Sequence, residues 1–180
     1  MGKMIMVTGG CRSGKSRFAQ NLAEAAGQTR LYLATAPVLD PEMEERIARH
    51  RAERASREWE TCEEQVNLVQ ALRSHPAYQV VLCDCLTLWV NNQMYVAEQK
   101  GELLGEEALA QATQQLAVEV RRHSATVIFV TNEVGLGIVP GDALSRRFRD
   151  LAGRCNQVMA ASADEVYFLV SGIPMKIKSS

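Results

Sequence analysis

The chain has 180 residues, 47% hydrophobic and 23% charged, the make-up of one globular domain rather than a fibrous or disordered chain. Twenty Lys and Arg against 21 Asp and Glu leave a formal charge of −1, which argues against a strongly cationic binder of nucleic acid or membrane. Five cysteines (Cys11, Cys62, Cys83, Cys85, Cys155) form no CxxC pair, so a zinc ribbon and a thioredoxin-like motif are excluded and a disulfide scaffold is disfavoured.

Met4 to Thr8 is an apolar run closed by glycines and reads as a buried strand. A helix is expected from Ser13 to Ala26, with Phe18, Leu22 and Ala26 on one face. Leu31 to Thr35 reads as a second strand. Asp40-Pro41 is a helix start, an N-cap followed by proline, and opens a charged helix to about Ser56. Val66 to Leu72 suggests a further helix, Gln79 to Cys83 a third strand, and Leu86 to Tyr95 another helix. Residues 97–107 carry charge and two glycines and read as the most mobile loop. A long helix at Glu106–His123, a strand at Thr126–Thr131 and a glycine-rich loop at Asn132–Gly141 follow. The chain closes with a helix at Asp142–Ser162 and strands at Glu165–Val170 and Met175–Lys178. Apolar strands alternating with helices predict an α/β fold in three layers. Its mostly parallel sheet has helices on both faces, in one domain over 1–180.

No window approaches the roughly 18 apolar residues of a membrane span. Met1-Gly2-Lys3 leads straight into the first strand without the pattern of a signal peptide, so a cytoplasmic protein is expected.

The strongest local signal is Gly9-Gly-Cys-Arg-Ser-Gly14-Lys15-Ser16, a complete GxxxxGK[ST] between a strand and a helix, and with it the expected three-layer fold is of the P-loop NTPase (RecA-like) kind. Glycines let successive backbone N–H groups turn around an anion, and the helix adds its positive end. Lys15 then reaches the β- and γ-phosphates, and the Ser16 hydroxyl is placed to ligate Mg²⁺. Such a loop needs a carboxylate at the end of a neighbouring strand, and Asp84, after Val80-Val-Leu-Cys83, fits; an acidic helix cap is the bland alternative. Cys83 and Cys85 beside it read as small buried residues.

The three histidines differ. His75, in Ser-His-Pro, reads as a solvated turn residue, and His123 as a helix end suited to the dipole. His50 lies among Arg46, Arg49, Arg51, Arg54 and Arg57 with one acid, Glu53. Arginine forks suit bidentate phosphate recognition, and an imidazole among cations stays neutral and nucleophilic. A solvated charged helix face explains the same spacing. The residues alone therefore define a nucleoside-triphosphate-dependent transferase with an arginine-rich helix, and leave the nucleophile open.

Six segments occur together in one order: Val7–Ser16, Leu33-Ala-Thr35, Arg46–Arg54, Trp59-Glu-Thr61, Val130-Thr-Asn-Glu-Val-Gly-Leu-Gly-Ile-Val-Pro140 and Phe148–Gln157. In these the chain resembles, over essentially its whole length, the bifunctional adenosylcobinamide kinase/adenosylcobinamide-phosphate guanylyltransferase family of cobalamin synthesis. The resemblance implies two reactions. ATP or GTP phosphorylates the aminopropanol hydroxyl of adenosylcobinamide, and GMP from GTP, carried on a histidine, is then transferred to give adenosylcobinamide-GDP. It implies that His50 is guanylylated and that Lys15 serves catalysis. Nucleotide contacts are implied at Gly9, Gly10, Cys11, Arg12, Ser13, Gly14, Lys15, Ser16, Leu33, Ala34, Thr35, Arg51, Ala52, Glu53, Arg54, Glu63 and Asp84, and a homotrimer is expected. Cys11 stands where members often have Ala, and Asp84 where some have Glu; neither removes a required group. An ordinary kinase without a covalent step and a non-enzymatic nucleotide switch remain as rival readings.

The arginine-rich segment 41–57 is mostly polar and is expected to be held weakly to the core. His50 has to come within about 3–3.5 Å of the α-phosphorus. The expectation is therefore a helix that moves inward on GTP binding, with His50 far from the phosphate loop in the empty protein.

Overall fold

β1 (Lys3–Gly9) presents Met4 and Met6 to one face of the sheet and Ile5 and Val7 to the other, all buried. The computed structural model describes residues 2–37 and 58–179. The same two-sided burial recurs in β4 (Val80–Asp84) and β5 (Thr126–Val130), as expected of central parallel strands covered on both faces. The remaining strands are β2 (Arg30–Ala34), β3 (Trp59–Glu63), β6 (Glu165–Val170) and β7 (Ile173–Ser179). The order across the seven-stranded sheet is β3-β2-β4-β5-β1-β6-β7, parallel except for β7.

One face packs on four helices, α2 (Leu68–Ser74), α3 (Leu86–Gln99), α4 (Glu106–Arg122) and α5 (Ala143–Ser162), through Leu72, Trp89, Leu116 and Met159 among others. The other face is covered, among the described residues, by α1 (Lys15–Ala26), whose Ala19 and Ala23 are fully buried. Three layers result, with helices on both faces as expected. Small residues on α1 let its backbone lie close to the sheet, which brings the loop before it close to the strand ends.

Several local expectations change. The buried line of α1 is Lys15, Ala19 and Ala23, flanked by half-buried Phe18 and Leu22, and Ala26 is exposed. β3 was not expected as a strand, because an edge strand half in water carries no apolar run. α3 continues to Gln99, so the loop before α4 is shorter than the 97–107 stretch suggested. The C-terminal strand begins at Ile173 and forms a hairpin with β6 through Ser171 and Gly172, whose φ values of 51° and 84° suit a tight two-residue turn. His75 is half-buried with Nδ1 2.8 Å from the Ala71 carbonyl, not solvated. His123 is buried: its Nδ1 accepts from the Ala125 N–H, which leaves Nε2 to donate to the His75 carbonyl. It ties two loops together instead of merely ending a helix. The expected helix 41–56, with His50 and its arginines, lies outside the described residues.

Glu165 shows how the sheet edge is held. Its carboxylate lies 2.6 Å from the Lys3 ammonium, accepts from the Tyr167 hydroxyl and pairs with Lys176. Lys3 above all, then Tyr167, holds its pKa down from 4.5 to about 2. A depressed carboxyl pKa contributes stability above its unfolded value and loses it as pH falls through the folded value. Stability is therefore expected to drop as pH falls from 4.5 to about 2. In E165Q, denaturant midpoints measured across that window should be lower at neutral pH and flatter towards acid.

Candidate active site

The parallel strands end on one edge of the sheet, and every described residue that the sequence reading singled out as a site lies along that edge. Cross-strand register aligns Glu63 with Ala34, Ala34 with Asp84, Asp84 with Val130 and Val130 with Val7. Ligands of open α/β sheets bind outside these carboxyl ends.

At the end of β1 the loop 9–14 is shaped by two glycines. Gly9 has φ +150°, and a Cβ there would sit 2.5 Å from the Leu169 carbonyl oxygen. Gly14 adopts the left-handed conformation (φ 90°, ψ 7°) immediately before α1. Both positions suit glycine and resist larger residues. The Lys15 side chain is buried and folds back over the loop. Its Nζ donates to the Gly10 carbonyl at 2.5 Å and lies 3.5 Å from Ser13 Oγ. An ammonium so placed, beside N–H groups at a helix start, is equipped to hold phosphate oxygens. The β6–β7 hairpin buttresses the loop, since the Gly172 N–H donates to the Ser13 carbonyl at 2.9 Å. That contact had no signal in the sequence.

Asp84 is one strand further away than expected. β5 lies between β1 and β4, so Asp84 sits two strand spacings, about 10 Å, from the phosphate-loop strand. The Tyr32 hydroxyl donates to Asp84 Oδ2 at 3.2 Å and orients it. Glu63 ends β3, four spacings or about 19 Å from β1.

Of residues 33–35, Leu33 is core and Thr35 is fully buried, its hydroxyl accepting from the Cys85 N–H and donating to the Cys85 carbonyl. The surface offered there is Ala34. Cys83 and Cys85 are buried as expected, and desolvation pushes the Cys85 thiol up to about 11, so neither serves as a thiolate at neutral pH. No group of three or more His, Cys, Asp or Glu able to hold a metal occurs among the described residues. His50, Arg51, Ala52, Glu53 and Arg54, and the movement expected of their helix, lie outside those residues.

A polar network that the sequence reading missed joins two of the six family-like segments. Thr8 Oγ1 donates to Glu133 Oε1 at 2.6 Å. Asn156, buried on α5, donates to that same oxygen at 3.2 Å and to the Asn132 carbonyl at 3.0 Å. Thr131 Oγ1 donates to Asn156 Oδ1, and Thr87 Oγ1 accepts from the Asn132 N–H. The signal was present as co-occurrence of Val130–Pro140 with Phe148–Gln157, but the pairing needed the fold.

A glycine-rich strand-to-helix loop with a buried lysine, on the carboxyl edge of a parallel sheet, defines a P-loop nucleotide-binding protein. Solved structures agree on the fold. The flagellar accessory protein FlaH from Methanocaldococcus jannaschii superposes with a TM-score of 0.55 at 13% identity, covering 99% of this chain and 79% of that one. The ATP synthase subunit NeqB from Nanoarcheaum equitans gives 0.58 at 14% identity, covering 94% of this chain and 45% of that one.

The sequence model of the family described as cobinamide kinase / cobinamide phosphate guanyltransferase matches residues 5–177. The bifunctional adenosylcobalamin biosynthesis protein CobU of Escherichia coli is 44% identical over 182 residues, 97% of this chain and 99% of that protein. The bifunctional adenosylcobalamin biosynthesis protein CobP of Pseudomonas aeruginosa is 43% identical over 175 residues, 96% of each. The chain belongs to this cobinamide kinase / cobinamide phosphate guanyltransferase family, and it is a transferase.

Proposed function

We propose that this chain performs both reactions of its relatives: it phosphorylates adenosylcobinamide with ATP or GTP, then transfers GMP from GTP through a guanylylated His50 to adenosylcobinamide phosphate. The observation that carries this reading is the phosphate cradle at Gly9–Ser16, with the Lys15 ammonium turned into it, in a chain aligned end to end with bifunctional proteins. Lys15 exchanges its bond to the Gly10 carbonyl for phosphate oxygens. Ser16, half-buried in the first turn of α1, and Asp84 on the same sheet edge suit Mg²⁺, which takes one or two protein oxygens beside phosphates and water. When bound, that ion neutralises charge on the transferring phosphates.

In the guanylyl step a His50 ring nitrogen attacks the α-phosphorus. The N–P bond forms, the bond to the bridging oxygen breaks, and pyrophosphate leaves, its charge met by Arg51 and Arg54. Ala34 and Glu63 stand too far along the edge for the cradled phosphates, so they meet the nucleoside end or a second nucleotide. The chain acts as a single domain over 1–180, in the cytoplasm, as a homotrimer. Among the described residues no helix is long and apolar enough to cross a membrane.

Incubation with α-labelled GTP, then denaturation, tests the reading. Label retained on the protein and chased off by adenosylcobinamide phosphate is the expected result. An ordinary kinase transfers only the γ-phosphoryl group and leaves the protein unlabelled. A nucleotide switch hydrolyses GTP slowly and labels nothing.

A further inference from the structure

The proposed kinase step needs a group to take the proton of the attacking alcohol, and none of the residues assigned so far does this. We propose that Glu133 is that general base; the proposal rests on the kinase reading above.

Position is the first argument. β5 lies beside β1, and the chain beyond it stays on the phosphate loop: the Thr131 N–H donates to the Val7 carbonyl at 3.0 Å and the Glu133 N–H to the Gly9 carbonyl at 3.1 Å. Lys15 Nζ rests on the next carbonyl, that of Gly10. The Glu133 backbone is thus tied to Gly9 and its carboxylate to Thr8, the two residues that lead into the loop on whose Gly10 carbonyl the Lys15 ammonium rests, and that ammonium is the group that meets the γ-phosphate. Asp84 is a strand further off and held by Tyr32, and Glu63 is four strands off.

Orientation is the second. Glu133 Oε1 is occupied, accepting from Thr8 and Asn156, and these two buried partners fix the carboxylate plane. Oε2 accepts no hydrogen bond from any described residue, and the side chain is half-buried, not sealed. The backbone nearby is uncrowded, since a Cβ placed on Gly10 or on Gly135 would meet nothing within 4 Å. The described histidines are committed elsewhere, His123 between the Ala125 N–H and the His75 carbonyl, and His75 beside the Ala71 carbonyl.

The step balances. The acceptor oxygen bonds to the γ-phosphorus while the bond from that phosphorus to the β–γ bridging oxygen breaks, and the nucleoside diphosphate leaves with the electron pair. The hydroxyl proton passes to Glu133 Oε2 and from there to water. In the guanylyl step the acceptor is a phosphate oxyanion with no proton to lose, so the base is not called upon.

E133Q keeps the Oε1 acceptor for Thr8 and Asn156 and removes only the basic oxygen. Phosphorylation of cobinamide by ATP should lose at least about a hundredfold in kcat. Binding of a fluorescent GTP analogue should change by less than about threefold, and guanylyl transfer to pre-made cobinamide phosphate should fall far less than the kinase step. Kinase turnover in E133Q within about threefold of wild type overturns the proposal, and E133A losing both reactions beside such an active E133Q assigns Glu133 a structural part instead. Equal losses in both reactions of E133Q also overturn it, because they point to nucleotide holding. Wild-type protein that never phosphorylates the alcohol overturns the kinase reading, and the base with it, before any variant is compared.

Discussion

Replacing His50 with alanine is expected to abolish the protein-bound GMP and to cut guanylyl transfer by roughly 10³-fold or more, since the nucleophile itself is removed. Phosphorylation of adenosylcobinamide, which passes through no covalent nucleotide, should persist. Wild-type adduct should be acid-labile and alkali-stable, as a phosphoramidate is and a phosphoester is not. His50 stands between Arg49 and Arg51 in the sequence. Mapping the labelled peptide checks the assignment directly. Label recovered on a lysine-containing peptide without His50, or undiminished in H50A, refutes it.

Lys15→Ala should collapse both reactions together, each by roughly 10²–10³-fold, the size expected when one preorganised donor to a developing anion is lost. The fold should survive. Lys15 is buried, yet its ammonium is spent on the Gly10 carbonyl and the neighbourhood of Ser13 Oγ, not on the apolar face of α1, and the next residues on that line, Ala19 and Ala23, supply the packing. Circular dichroism and thermal unfolding separate loss of fold from loss of site. Wild-type turnover of K15A at saturating nucleotide contradicts the role given to the loop.

Under the proposed function the two substitutions are expected to divide the two chemistries, H50A falling on the guanylyl step alone and K15A on both. E133Q is expected to complete the division, its loss falling on the kinase step.

The phosphate loop was legible in sequence because its chemistry is local. Gly9, Gly14, Lys15 and Ser16 are neighbours along the chain, and a glycine is required where φ is positive or a carbonyl approaches too closely. The alternation of apolar strands with helices was legible for a similar reason, since a strand buried on both faces must be apolar throughout. The family followed from six segments in order, and the full-length match at 43–44% identity agrees with it.

Other features depended on strand order, which no periodicity encodes. Asp84 was recognised as an acid after an apolar strand, but only the sheet shows β5 inserted between β4 and β1. β3 escaped notice because an edge strand need bury little. Thr8, Glu133 and Asn156 are separated by 125 and 23 residues and become one hydrogen-bonded unit only when β5 lies beside β1 and α5 packs over both. Sequence by itself determined the phosphate-loop motif, because its glycines, lysine and serine occupy adjacent backbone positions. The tertiary structure decided which carboxylate stands beside the phosphate loop, because that distance is counted in strands across the sheet and not in residues along the chain.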